Sequence, residues 1–518
     1  MDKQAFLRRN FLKTVGLGTA AGLLGLGIGQ TVWAQPKRNR QKSVLGPVRG
    51  NGTNVVLITT DDLSYDSVGA NGCAVPDITP NLDRLASEGV RFELAHVNIA
   101  VCQPCRGTIA TGLYPHHSGI TGFNHTKLPI ATVMKTLKDA GYRTGIMSKV
   151  GHSTPHGAFR WDMLVNREHT CNGRDPQRFY EYTEGFIRDC AAENRPFYLM
   201  VNSQDPHRPF AGTANEYRKL PLCRHPEPSR TYQPNEVPVP GYLPDLPDVR
   251  KETARYFSSV HRADETVGAV LRALKETGAE ASTLVVFISD HGRSFPFSKG
   301  NCYPFSTHVP WIMRLPGKIA PGSVEREHFI STIDFFPTVL ETLDLTVPEG
   351  LDGRSFVPLL QGKPQPNRDR VFTQFYRTSA GNDYPMRSVQ EKDFCYIFNP
   401  WVKRGLPYKA EAMRGLSFNA MRDAGKINPQ IAARVEHCIH RTVEELYDLK
   451  KDPSCLHNLV DDAAYSDQLQ RLQTVLTDWM RDTDDDALPC FDRRNEPGVC
   501  RRLYAPRRKK RSLKPRRI

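Results

Sequence analysis

The densest chemistry in this sequence lies in Cys102-Gln103-Pro104-Cys105-Arg106, followed by Gly107 to Gly112 and then Tyr114-Pro115. A side chain at the first turn of a helix faces unpaired backbone N–H groups, which favour an anion bound there. Arg106, one helical turn beyond Cys102, can bind an oxyanion through parallel hydrogen bonds. Cys102 and Cys105 also have the spacing of a redox pair or of half a zinc site, and no second pair of that spacing follows.

Three further groups carry charge at places where apolar runs stop. Asp61-Asp62 ends the run Asn54 to Thr60, and two adjacent carboxylates there are costly unless a cation neutralises them. Their hard oxygen atoms suit calcium or magnesium. Ser289-Asp290-His291-Gly292 ends the run Thr283 to Ser289, and Gln204-Asp205-Pro206-His207 follows the run Pro196 to Asn202. His207 is a candidate general acid. Lys149 and His152 follow Arg143 to Met147, with His156 as the next histidine along, and Lys299 lies nine residues after Asp290.

Such residues need a scaffold that brings chain segments far apart in sequence to one edge. Asn54–Thr60, Arg143–Met147, Pro196–Asn202, Thr283–Ser289 and Val309–Arg314 read as buried strands, being short, apolar and rich in β-branched residues. Between them the spacing predicts helices over Thr79–Val90, with Thr79 capping and Pro80 in the first turn, and over Ile130–Ala140, Arg178–Ala192, Val249–Thr277 and Thr332–Leu343. The alternation predicts an α/β fold, a mostly parallel sheet sandwiched by helices in three layers. Sites in such folds lie beyond the carboxyl ends of the strands, where these charged groups fall. After about residue 375 shorter strand-like pieces (Val371–Phe375, Phe394–Phe398, Glu445–Leu449) predict a smaller α+β domain. The expected organisation is 1–34 signal peptide, 50–375 catalytic domain, 376–500 smaller domain and 501–518 basic tail.

Of 518 residues, 39% are hydrophobic and 24% charged, an ordinary globular composition. The formal net charge is +14, but ten Lys and Arg lie between Arg501 and Ile518. Without that tail the body carries about +4, which gives no reason to expect nucleic acid as a partner. The tail itself reads as a solvated terminus or as a docking element for a polyanion. Arg8-Arg9-Asn10-Phe11-Leu12-Lys13 precedes a glycine-rich apolar stretch, Val15 to Val32, and Val32-Trp33-Ala34 offers a cleavage site before Gln35. This resembles a twin-arginine export signal and predicts a periplasmic or extracellular protein, with the twin-arginine machinery as a partner. Twelve cysteines could then form disulfides. Cys490 and Cys500 are the expected pair; the others cannot be paired from sequence.

The run from Cys102 to Pro115 resembles the signature of formylglycine-dependent sulfatases, and the resemblance extends over about residues 52–500. It implies an alkaline-phosphatase-like fold. It implies that Cys102 is oxidised to formylglycine by a formylglycine-generating enzyme, and that the hydrated aldehyde attacks sulfur. It implies one divalent cation, calcium in most members, held by Asp61, Asp62, Asp290 and His291. His291 stands where many members have asparagine, and as a nitrogen donor it is either the fourth ligand or a hydrogen-bond partner of the substrate. Lys149 and Lys299 would contact the sulfate together with Arg106, and His207 would protonate the leaving group. Members carry a G-K-x-H segment where this chain has Ser148-Lys149-Val150-Gly151-His152, so glycine is replaced and the histidine is one residue further on. Tyr384-Pro385-Met386-Arg387-Ser388-Val389-Gln390, together with Arg195 to Leu199 and Phe295-Pro296, is similar to the branch that cleaves N-sulfoglucosamine in heparan. A cysteine pair near the C-terminus of that branch resembles Cys490 and Cys500. The implied substrate is a sulfated sugar or glycosaminoglycan fragment. An O-sulfatase on glycan or aryl esters, a phosphonate or phosphate diester hydrolase, and an inactive glycan-binding protein are the other readings. Gly122–Lys127 and the region around Arg387 are the candidate specificity loops.

Overall fold

The computed structural model describes residues 50–217 and 223–496. The twin-arginine segment, the cleavage site before Gln35, Cys500 and the basic tail lie outside the described residues. Among the described residues no helix is long and apolar enough to cross a membrane.

An eight-stranded sheet forms the centre. In chain order its strands are β1 (Asn54–Thr60), β2 (Val90–Phe92), β3 (Arg143–Met147), β4 (Met163–Val165), β5 (Phe197–Asn202), β6 (Thr283–Ser289), β7 (Trp311–Arg314) and β8 (Ser323–Glu325). Their order across the sheet is β4-β3-β5-β1-β6-β7-β2-β8. Pairing is parallel from β4 through β6. β7 runs antiparallel to both its neighbours, and β2 and β8 pair in parallel. The mostly parallel sheet expected from sequence is therefore present. β5 and β6 are buried along their whole length, and β1 along all but its first residue. A strand covered by helices on both faces has no polar side to alternate with, which is why these stretches read as unbroken apolar runs.

Helices α1 (Pro80–Ser87), α2 (Cys102–Thr111), α3 (Pro176–Ala192), α4 (Pro247–Glu276) and α5 (Phe335–Thr342) accompany the sheet. The predicted helix from Thr79 stops at Ser87, because Val90 already belongs to β2. Thr79 takes the N-cap position, but its hydroxyl donates to Asp83 Oδ1 at 3.0 Å rather than capping a backbone N–H. The caps are taken over by Asp264 of α4, which accepts from Asn81 N at 3.0 Å and Leu82 N at 2.8 Å.

A second, antiparallel sheet follows: β9 (Arg370–Arg377), β10 (Asp383–Glu391), β11 (Phe394–Phe398) and β12 (Glu444–Asp448), in that order. It packs against a helix, α8 (Ser466–Asp482), reached after α6 (Leu416–Ala424) and α7 (Pro429–Ile439). Leu472, Leu476 and Met480 of α8 bury against Val389, Tyr396 and Phe398, a core distinct from that of the central sheet. The boundary expected near residue 375 falls inside β9. A disulfide joins Cys171 to Cys223.

Candidate active site

Because β3, β5, β1 and β6 are adjacent and parallel, their carboxyl ends open on one edge. There the chain delivers Ser148-Lys149, Asp205 to His207, Asp61-Asp62 and Asp290-His291. Asp62, Ser148 and Lys149 have φ of 73°, 56° and 47°. Left-handed backbone is uncommon for residues with a Cβ, and here it turns the chain sharply enough for the side chains to converge.

Cys102 opens α2 and is buried against this edge. Its thiol donates to Asp61 Oδ1 at 3.3 Å, and its Sγ lies 3.4 Å from His291 Nε2. Burial pushes the thiol well above the ordinary range, and the Asp61 carboxylate pushes it further. Cys105 is also pushed well above it by burial, and both cysteines are free thiols. A reactive redox pair needs the opposite, a lowered thiol, so the surroundings do not favour that alternative.

Arg106 is fully buried beneath the cavity rather than in its lining. Its Nε donates to Asp290 Oδ2 at 3.1 Å, and Nη1 donates to Thr59 Oγ1 at 2.8 Å and Asn202 Oδ1 at 2.6 Å. Asn202 Nδ2 in turn donates to the carbonyls of Met147 and Ser148 at 3.0 and 3.2 Å. Asn202 thus ties the ends of β3 and β5 to the helix that carries Cys102. It escaped the sequence reading, although a lone amide closing a buried apolar run is the available signal, since such a group needs partners.

Lys149 pairs with Asp61, and Lys299 Nζ donates to Asp62 at 2.8 and 3.1 Å. Burial alone would raise Asp61, but Lys149, His207, Lys299 and Arg106 outweigh it and hold the carboxyl well below the usual range. For Asp62 burial, with the neighbouring Asp61 charge, wins against Lys299, His207 and His291, and the carboxyl is raised. The Lys149 ammonium meets Asp61 at Oδ2, and the Cys102 thiol meets it at Oδ1, so both carboxylate oxygens face the site.

This donor set fits a divalent cation. One ligand atom from each of Asp61, Cys102, Asp290 and His291 lies within 4.8 Å of every other, as do those of Asp61, Asp62, Cys102 and His207. Two ligands about 2.4 Å from a shared calcium ion can be no further apart than about 4.8 Å, a limit both sets meet, with the Cys102 sulfur standing where a formylglycine oxygen would be. His291 Nδ1 also lies 3.4 Å from Asp62 Oδ1, and Asp62 N donates to Asp290 Oδ1 at 3.1 Å, so the four expected ligands form one cluster.

Above the cluster is a cavity of about 1020 Å³ lined by Cys102, Lys149, His152, His207 and Lys299, among others. His152, not His156, is the histidine at the cavity; His156 Nε2 faces the carbonyl of Ile130 at 3.1 Å. Burial and then Lys149 push His152 down to about 3, so it presents a neutral ring. His207 donates from Nδ1 to the carbonyl of Arg208, which turns Nε2 toward the cavity. Phe123 of the expected specificity loop lines the cavity. Arg387 does not: it is buried in the second sheet, where Asp485 at 2.7 Å and Asp486 at 2.6 Å close its charge. The motif around it is a strand of that sheet, β10, buried without a break from Tyr384 to Gln390 and so lacking the alternation that marks a half-exposed strand. Glu411, also in the lining, was missed: it stands on a short turn with no motif around it.

The profile of the sulfatase family matches residues 53–345, more than half of the chain. The profile of the C-terminal region of N-sulphoglucosamine sulphohydrolase matches residues 292–399. Human N-sulphoglucosamine sulphohydrolase is 29% identical over 476 residues, which cover 85% of this chain and 92% of the human protein. An ulvan-active sulfatase of Formosa agariphila is 24% identical over 465 residues, covering 84% of this chain and 76% of that protein. A solved structure of a protein in complex with its substrate D-glucosamine-2-N,6-O-disulfate has the same fold, with a TM-score of 0.60 at 19% identity, covering 86% of this chain and 99% of the other.

Proposed function

From the premise that this chain belongs to the sulfatase family, and is therefore a sulfate ester or sulfamate hydrolase, we propose that it removes sulfate from a sulfated sugar, N-sulfoglucosamine, through a formylglycine made from Cys102. The observation that carries this reading is the seat of Cys102: the first turn of a buried helix, at the floor of the cavity, against Asp61 and His291 and between two lysines. The choice of sugar rests on the likeness to human N-sulphoglucosamine sulphohydrolase over most of the chain. An O-sulfatase acting on glycans is the second reading, favoured by the likeness to the ulvan-active sulfatase.

Formylglycine supplies, as its hydrate, two oxygens on one carbon, so that one can take the sulfuryl group and the other expel it. A cation held by Asp61, Asp62, Asp290 and His291 supplies polarisation of sulfate oxygens. The chain's own groups do the rest. Lys149 and Lys299 reach the cavity as mobile point charges and clamp the sulfate. Arg106 fixes Asp290 and the start of α2. His152, neutral, offers a hydrogen bond rather than a charge. His207, with Nδ1–H committed to the Arg208 carbonyl, holds its exchangeable proton at Nε2, on the cavity side, where the leaving nitrogen needs it. The Cys171–Cys223 disulfide accords with export to an oxidising compartment.

Mass spectrometry of the peptide containing residue 102, from exported protein of its own host, tests the central step. The expected residue is about 18 Da lighter than cysteine. Activity should be at least about tenfold higher on N-sulfoglucosamine than on its 6-O-sulfated isomer. Active protein with unmodified cysteine sinks the mechanism; the reverse preference replaces the sulfamidase reading with the O-sulfatase one.

A further inference from the structure

Glu411 is a carboxylate in a cavity read as binding sulfate, which its charge opposes. It opens the turn Glu411–Arg414 ahead of α6. The start of α6, just after that turn, is held by Glu252 of α4, which accepts from Leu416 N at 3.0 Å and Ser417 N at 2.8 Å and also pairs with Arg208. Arg208 stacks on Phe210 with its guanidinium 4.6 Å from the ring. The segment bearing Glu411 is thereby tied to the residue next to His207. Its Oε2 lies 3.4 Å from Lys299 Nζ and its Oε1 3.7 Å from His207 Nε2. Lys299, with help from His207 and Arg208 and against burial, holds the carboxyl at about 2, so it remains charged through the working range.

Resting on the reading of the site as a sulfamate hydrolase, the geometry points to Glu411 as the residue that selects the leaving group, favouring one released as an amine over one released as an anion. When a sulfamate is cleaved, sulfur exchanges its bond to nitrogen for a bond to a diol oxygen at residue 102, whose own proton passes to solvent. The S–N electron pair stays on nitrogen, and the proton at His207 Nε2 moves onto it, leaving a neutral imidazole and a free amine. That amine takes a further proton from solvent and becomes an ammonium ion. Glu411, beside His207 Nε2, orients the donor before the step and faces a cation after it. An aryl sulfate instead releases a phenolate, whose growing negative charge the same carboxylate opposes.

The test uses the full-length modified enzyme, its Glu411→Gln and Glu411→Asp variants, and two substrates, N-sulfoglucosamine and 4-nitrophenyl sulfate. Glu411→Gln should lower kcat/KM on the sulfamate about 30-fold and leave it equal or higher on the aryl sulfate, with Glu411→Asp recovering part of the loss. Unchanged sulfamate turnover, or equal loss on both substrates, overturns the assignment. Wild-type enzyme alone gives an independent answer by calorimetry: glucosamine should bind at least about tenfold tighter than N-acetylglucosamine, whose nitrogen carries no charge. Equal binding overturns the assignment even if the variants misfold. Failure of the wild type to cleave the sulfamate at all sinks the sulfamidase reading and this one with it. Cleavage by the wild type with indiscriminate loss in Glu411→Gln sinks this one alone.

Discussion

Two clusters of buried charge lie within a few residues of each other, and they are built from different parts. Beneath the cavity, Asp61, Asp62 and Asp290 meet Lys149, Lys299 and Arg106. Behind the loop after β5, Asp205 and Glu216 meet Arg262 and Arg174. In the second cluster the Arg262 fork binds Asp205 at 2.7 and 3.1 Å and Glu216 at 2.7 Å. Arg174 adds Asp205 at 3.2 Å and donates to the carbonyls of His207 and Pro209 at 2.7 and 2.8 Å. His225 closes Glu216 at 2.8 Å, and none of these side chains is more than 1% exposed. Rigid guanidinium forks fix that cluster, whereas the catalytic one faces its cavity with ammonium groups on flexible stems. Three of its residues, Asp62, Ser148 and Lys149, take left-handed backbone. A closed cluster holds the loop that carries His207; an open one can exchange its internal partners for a ligand's.

If that distinction is right, charge removal should cost stability in one cluster and activity in the other. The largest effect belongs to Arg262→Met, which takes the guanidinium fork from Asp205 and Glu216 and leaves Arg174 and His225 as their remaining partners in the interior. Loss of one partner from a buried ion pair costs about 3–5 kcal/mol, a large part of a domain's stability. Chemical denaturation should show that loss, while the protein that remains folded keeps its KM. A variant as stable as the wild type but inactive would make the cluster part of the catalytic machinery and dissolve the contrast.

Lys149→Met is the converse. It removes one cation from the place proposed for sulfate, and kcat/KM should fall about 100-fold, since a preorganised charge aimed at the reacting group contributes on that scale. Its stability should fall by less than that of Arg262→Met, because Lys149 lines the cavity while Lys299 and Arg106 still face the buried Asp61. A stability loss matching that of Arg262→Met would mean that both clusters are structural.

The strands and most of the catalytic cluster were legible in the sequence because both obey local rules. β1, β3 and β6 have the bounds that their apolar runs give, and the acids fall where those runs stop. The helix of α2 was implied by the resemblance of the run from Cys102 to Pro115 to the sulfatase signature. The closed cluster was not legible: Arg174, Glu216 and Arg262 have no shared spacing, and only the fold brings a turn, a loop and a long helix together. The same holds for Glu411, whose function depends on a contact with residues more than a hundred positions away. α6, α7 and α8 were missed although apolar residues recur along them at helical spacing, and β10 because Arg387 and its neighbours look like a loop until Asp485 pairs with the arginine.

The mildest way to pull the clusters apart is acid. Glu216 is nearly inaccessible to solvent, and burial would raise its carboxyl, but the hydrogen bond from His225 and the charges of Arg262 and Arg174 bring it from an ordinary 4.5 down to about 2. A carboxyl lowered on folding adds stability that is complete above the unfolded value and lost as pH falls toward the folded one. The window for this residue is therefore about 4.5 to 2. By pH 4 the loss from Glu216 alone should be about 1 kcal/mol relative to neutrality, and it should grow as the pH falls further. Glu216→Gln keeps the shape but cannot ionise, so its denaturation midpoint, lower at pH 7, should fall less steeply between pH 5 and about 3 than that of the wild type. Parallel slopes for the two proteins would show that the carboxyl is not held low by its arginines, and that the closed cluster is no more tightly locked than the open one.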